Sequence, residues 1–193
     1  MESVISLTGK DFGIIAVDTM YIKSILTIKK DLNKIIEIAP NIFIVVTGSP
    51  GDISQFLDLI QKSIQLQILE NETTVNINSI ANFMRQELSS CLRKGPMNLN
   101  MILIGYSANF KPSIYFLDYL GNLQKMNFCA MGYSSSIIYS LIEKYFDENM
   151  NLVQGLQIIT KCISTIRNRF LINHNGFLIK VIYRQGAENI GVF

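Results

Sequence analysis

The strongest constraint on this chain is the order in which two hydrophobic periods follow one another along it. Ser3-Val4-Ile5-Ser6-Leu7-Thr8 roughly alternates, and Phe12-Gly13-Ile14-Ile15-Ala16-Val17 follows after a Gly9-Lys10-Asp11 turn, so the two predict a hairpin. Ile35 to Ile38 and Ile42 to Thr47 predict further strands, and the consecutive apolar positions of the second predict burial on both faces. Helical spacing then takes over. Ser49-Pro50-Gly51-Asp52 marks a helix start, with Ile53, Phe56, Leu57, Ile60 and Ile64 on one stripe. A second helix is predicted from Asn78 to Lys94, ended by Gly95-Pro96. Strands return at Leu99 to Tyr106, Ser113 to Tyr119 and Leu123 to Met126. Helices at Ser134 to Phe146 and Asn151 to Asn168, and strands at Phe177 to Tyr183 and Glu188 to Val192, complete the order. Runs of strands separated by helix pairs predict an α+β sandwich, with packed sheets and helices laid on their outer faces.

At 193 residues the chain falls within the roughly 100–200 expected per domain, and no linker-like stretch divides it, so residues 1–193 read as a single domain. Cys91, Cys129 and Cys162 are odd in number and widely spaced, which indicates neither a disulfide framework nor a metal site. No cofactor motif is present. A net charge of +2 with scattered basic residues argues against nucleic acid. Apolar runs fall far short of the ~20 residues that span a bilayer, so a membrane is excluded as a partner on this reading. Without a secretory pattern at Met1-Glu2-Ser3-Val4, the expected location is cytoplasm and nucleus. Charged residues make up only 17% against a typical ~25%. Permanent subunit interfaces show that depletion, and a genome rich in Ile and Asn codons would produce it equally.

Four segments in register carry a resemblance across the whole chain. They are Gly13-Ile14-Ile15-Ala16-Val17-Asp18, Asn33-Lys34-Ile35-Ile36-Glu37-Ile38-Ala39-Pro40, Val46-Thr47-Gly48-Ser49-Pro50-Gly51-Asp52 and Met131-Gly132-Tyr133-Ser134-Ser135. Together they resemble the proteasome beta family. That resemblance implies the four-layer αββα sandwich of the N-terminal-nucleophile hydrolases. Arg85-Gln86-Glu87-Leu88, Asn100 through Gly105-Tyr106, and Asp118-Tyr119-Leu120-Gly121 look most like the non-catalytic member at the beta-4 ring position. The lack of a leader before the first strand agrees with it.

Active members of that family use an N-terminal threonine whose hydroxyl attacks the carbonyl while its own free amine takes the proton. The resemblance aligns Asp18 and Lys34 with the family's charged pair, and Gly48 with the donor to the oxyanion. In that register Glu2 stands at the nucleophile position, with neither hydroxyl nor free amine. No catalytic residue is therefore expected, and Asp18, Lys34 and Gly48 are vestigial. Tyr133 occupies the place of a helper serine, and Leu171-Ile172-Asn173-His174-Asn175-Gly176 stands near the family's later Asp and Ser. His174, the only histidine, reads as a loop residue. The tyrosines at 106, 115, 119, 133, 139 and 145 read as core or interface contacts, with a ligand site as the other possibility. Lys34 is expected near both Asp18 and Glu2.

The resemblance thus implies a structural subunit in the beta ring of the 20S core particle, helping to form the chamber for ubiquitin-dependent protein degradation. Its partners would be the beta-3 and beta-5 position subunits, the alpha ring and the opposite beta ring. Two other functions remain: a processed hydrolase using Ser3 or Thr8 as a new amino terminus, and a free-standing α+β adaptor.

Overall fold

A computed structural model describes residues 2–23, 26–71, 75–106, 111–170 and 176–192. Strand β1 (Ser3–Thr8) turns back into β2 (Gly13–Asp18), pairing Val4 with Val17 and Thr8 with Gly13. A short hairpin follows, β3 (Tyr21–Lys23) with β4 (Leu26–Lys29), and then β5 (Ile36–Ala39) and β6 (Ile42–Gly48). Helices α1 (Pro50–Asn71) and α2 (Ile77–Leu92) lead to β7 (Leu99–Tyr106), β8 (Pro112–Leu117), β9 (Leu123–Met126) and β10 (Phe128–Gly132). Helices α3 (Ser135–Tyr145) and α4 (Leu152–Arg169) precede the closing pair β11 (Phe177–Tyr183) and β12 (Gly186–Val192).

The strands form two five-stranded antiparallel sheets, ordered β10-β1-β2-β11-β12 and β5-β6-β7-β8-β9. Because successive side chains on a strand point to opposite faces, neighbouring apolar residues feed different cores. Val4, Ile15, Val45 and Ile102 fill the space between the sheets. Their neighbours Ile5 and Ile14 lie under α3 and α4, and Ile44 lies under α1 and α2. Every residue of β1 and β2 is buried, as a strand covered on both faces requires. The layers are therefore helix, sheet, sheet, helix: the αββα arrangement anticipated from the sequence.

Several boundaries and elements differ from the sequence reading. The β3–β4 hairpin was not anticipated, because all of Leu26–Lys29 is exposed and shows no buried alternation. Strand β10 was also missed; Cys129-Ala130 gives it little strand signal, and pairing with β1 is what makes it a strand. The strand predicted to reach Tyr119 stops at Leu117. There the Asp118 carboxylate accepts from the backbone N–H groups of Leu120 and Asn122 (3.0 and 2.8 Å) and bends the chain. The last strand begins two residues earlier than predicted, at Gly186.

Candidate functional site

The β1–β2 register places Ser3 beside Asp18, whose carboxylate Oδ1 accepts from the Ser3 backbone N–H at 3.3 Å. Between β4 and β5 the chain passes this strand end, and Lys34 reaches in. Its ammonium donates to Asp18 Oδ1 (2.9 Å) and to the Met20 carbonyl (2.8 Å), and lies 3.7 Å from Glu2 Oε1. The Lys34 side chain is 6% exposed and that of Asp18 0%, whereas Glu2 keeps 22%. One buried cation thus faces two carboxylates, as the sequence reading expected. Burial pushes the Glu2 carboxyl above its ordinary value, aided by the Asp18 charge, and the attraction of Lys34 offsets this only in part.

Glu2 and Lys34 open onto a cleft of about 1280 Å³ between the ends of the sheets. Met20, Ile22, Val46, Ile53 and Met131 provide apolar walls, and Thr47, Gly48 and Asn98 polar ones. Asp18 stands behind Lys34, outside the lining. Gly48 has φ +147, and a Cβ there would run into the Asn98 carbonyl, so only glycine lets the chain before β7 approach. Gly132, at φ +93, has the same relation to the Glu2 carbonyl: β10 closes over the first residues of β1 through a position that tolerates no side chain.

The sequence reading gave attention to Tyr133, but Tyr133 is 72% exposed, and the buried hydroxyl is its neighbour Ser134. Ser134 Oγ donates to Ser3 Oγ at 2.9 Å, joining the α3 start to β1. Ser134, which the sequence reading did not single out, is therefore the hydroxyl of this segment that reaches β1. Thr8 lies at the far end of β1, its hydroxyl donating to the Asn127 carbonyl at 2.9 Å. His174 lies outside the described residues, as do its neighbours Leu171 to Asn175. The tyrosines do not converge. Tyr115 is in the α1–α2 core, Tyr139 meets the Cys129 thiol at 3.4 Å, and the Tyr106 hydroxyl donates to the Asp11 carbonyl at 2.6 Å. Among the described residues no cluster of His, Cys, Asp or Glu could hold a metal ion.

A family model described as "Proteasome subunit" matches residues 2–182, from Glu2 through nearly all of β11. The chain belongs to the proteasome subunit family. Within it the similarity is to beta subunits. Proteasome subunit beta type-2 of Oryza sativa subsp. japonica is 35% identical over 97% of this chain and 89% of its own length. Proteasome subunit beta type-2-B of Arabidopsis thaliana is 34% identical over 99% and 96%. A probable proteasome subunit beta type-4 of Neurospora crassa is 31% identical over 98% and 95%. With the proteasome family established, the two sheets and two helical layers are the N-terminal-nucleophile hydrolase fold, and the Glu2–Lys34 cleft is the place to seek this subunit's chemistry.

Proposed function

We propose that this chain is a non-catalytic subunit of the beta ring of the 20S proteasome core particle, its residues 1–193 forming one beta-type domain. The observation that carries this reading is the carboxylate of Glu2, 3.7 Å from the Lys34 ammonium at the cleft floor. A threonine-type mechanism needs a hydroxyl and a free α-amine on one residue there. Glu2 offers neither, and its own backbone continues into Met1. Asp18, Lys34 and Gly48 then serve structure: an ion pair that ties β2 to the β4–β5 connection, and a glycine that lets β6 and the segment before β7 meet. Processing to a new amino terminus at Ser3 would remove the Glu2 carboxylate from Lys34, and processing at Thr8 would remove nearly all of β1, a central strand whose residues are all buried.

In this role the subunit contacts the beta-3 and beta-5 position subunits, an alpha-ring subunit and the opposite beta ring. It helps enclose the chamber for ubiquitin-dependent degradation in cytoplasm and nucleus. Gel filtration of native extract followed by affinity purification of the tagged chain tests this. Elution with a particle many times larger than 21.8 kDa, together with other proteasome subunits, is expected. Elution as a monomer or dimer would leave the adaptor reading instead.

A further inference from the structure

Helices α3 and α4 pack on each other, and each sends a lysine to the same phenol. Lys161 of α4 holds its ammonium 3.7 Å from the centre of the Tyr145 ring, and Lys144 of α3 holds its own at 5.5 Å. Both lysines are exposed, and among the described residues neither meets a carboxylate at salt-bridge distance. The acids nearby in the chain are engaged or turned to solvent. The Asp147 carboxylate accepts from the Asn149 backbone N–H at 2.9 Å, Glu148 accepts from the Asn127 side-chain amide at 2.8 Å, and Glu143 is exposed. Two like charges therefore share one ring, whose attraction for a cation at an exposed site is small.

Exposure alone does not single out Tyr145. It is 41% exposed, against 46% for Tyr119 and 72% for Tyr133, but among the described residues neither of those has a cation over its ring. Lys161 first, and Lys144 after it, pull the Tyr145 phenol below its ordinary value. A negative group on the Tyr145 oxygen would give both ammonium groups the partner they lack. Tyr145 is the last residue of α3, where the helix dipole disfavours an anion, but two charge-assisted hydrogen bonds outweigh that effect.

We propose that Tyr145 is a phosphorylation site, where a tyrosine kinase places a phosphate that Lys144 and Lys161 neutralise. The Tyr145 oxygen attacks the γ-phosphorus of a nucleoside triphosphate. A new P–O bond forms as the bond from that phosphorus to the bridging oxygen breaks, a nucleoside diphosphate leaves, and the phenol proton passes to a base of the kinase. The phosphate then ties the end of α3 to the middle of α4, adding charge where two cations already converge. The inference stands apart from the reading of the chain as a ring subunit, since it needs only these two helices.

The test recovers the full tagged chain, free or in a particle, from cells lysed under tyrosine-phosphatase inhibition, and maps phosphate by peptide mass spectrometry. Phosphate is expected on Tyr145, in excess over the more exposed Tyr133, and absent from that position in Tyr145→Phe. The wild-type chain and a Lys144→Gln, Lys161→Gln variant are then phosphorylated in vitro by a broad-specificity tyrosine kinase. Both substitutions are at exposed positions, so the core of the variant is untouched. An added phosphatase should release phosphate from the native wild type about tenfold more slowly than from the variant, equivalent to ~1.4 kcal/mol of holding by the two lysines. No phosphate on Tyr145 in cells, or phosphate on Tyr133 in its place, overturns the proposal. Equal release from the two chains overturns it as well, because the lysines would then hold nothing.

Discussion

Lys34 is the residue on which the floor of the cleft depends, since its ammonium is the shared partner of Asp18, the Met20 carbonyl and Glu2. Lys34→Ala leaves Asp18 buried without that cation, a loss of about 3–5 kcal/mol, to be read from urea unfolding or from the yield of assembled particle. Glu2 behaves differently. Its folded carboxyl titrates above the ordinary 4.5 because burial outweighs Lys34, so the neutral form is the better tolerated one. A raised folded value contributes stability below pH 4.5 that is lost as pH rises through it. Glu2→Gln is therefore expected to equal or slightly exceed wild type at neutral pH, with the gap closing on acidification. A Glu2→Gln variant as damaged as Lys34→Ala would contradict this ranking. Gly132→Ala drives a Cβ into the Glu2 carbonyl at φ +93, and a loss of at least about 1–3 kcal/mol in the same unfolding assay is expected. Of this cluster the sequence reading gave Lys34 beside Asp18 and Glu2 but neither its bond to the Met20 carbonyl nor the Ser134–Ser3 contact. Asp18 and Lys34 were legible only through the family motifs, and Ser134 was hidden beside Tyr133. The contacts that join them bridge residues as far apart as Ser3 and Ser134, which no local period encodes.

Elements were more legible than contacts, because burial imposes a period on any helix with one covered face. The stripe read from Ile53 to Ile64 is the buried face of α1, and Ile159, Ile163 and Ile166 are that of α4. Ile60→Ala empties a fully buried position and should cost about 2–5 kcal/mol, whereas Leu66→Ala on the same helix should stay within about 0.5 kcal/mol in the unassembled chain. Denaturant midpoints of the two variants check the division of α1 into a core face and an exposed face. Strand β10 and helix α4 supply a second test. Burial pushes the thiols of Cys129 and Cys162 up to about 11, so neither forms appreciable thiolate near neutral pH. Alkylation of the native chain followed by mass analysis is expected to modify Cys91, which is half-buried, before either, and to reach all three only on unfolding. What stayed illegible at this scale has one physical cause. In the β3–β4 hairpin all of β4 is exposed, and β10 is covered on both faces, so neither shows the apolar–polar alternation of a half-buried strand.

At the scale of the whole molecule, the segregated order of strands and helix pairs already specified two sheets between helical layers, since neither a one-faced helix nor a sheet can leave its apolar side in water. The fold alone does not distinguish a protease from a structural subunit, and the proposal that this one is non-catalytic rests on residue 2. The account therefore stands most directly on a reaction carried out in the assembled particle. Purified particles containing this chain are treated with an electrophile that captures a hydroxyl together with the free α-amine of the same N-terminal threonine, and each subunit is weighed intact. The prediction is that this chain remains unlabelled, with Glu2 still present at its start, while co-purifying subunits gain the mass of the probe. Label on any residue of this chain, or a mass showing that it begins at Ser3 or Thr8, would contradict the reading of its site as non-catalytic.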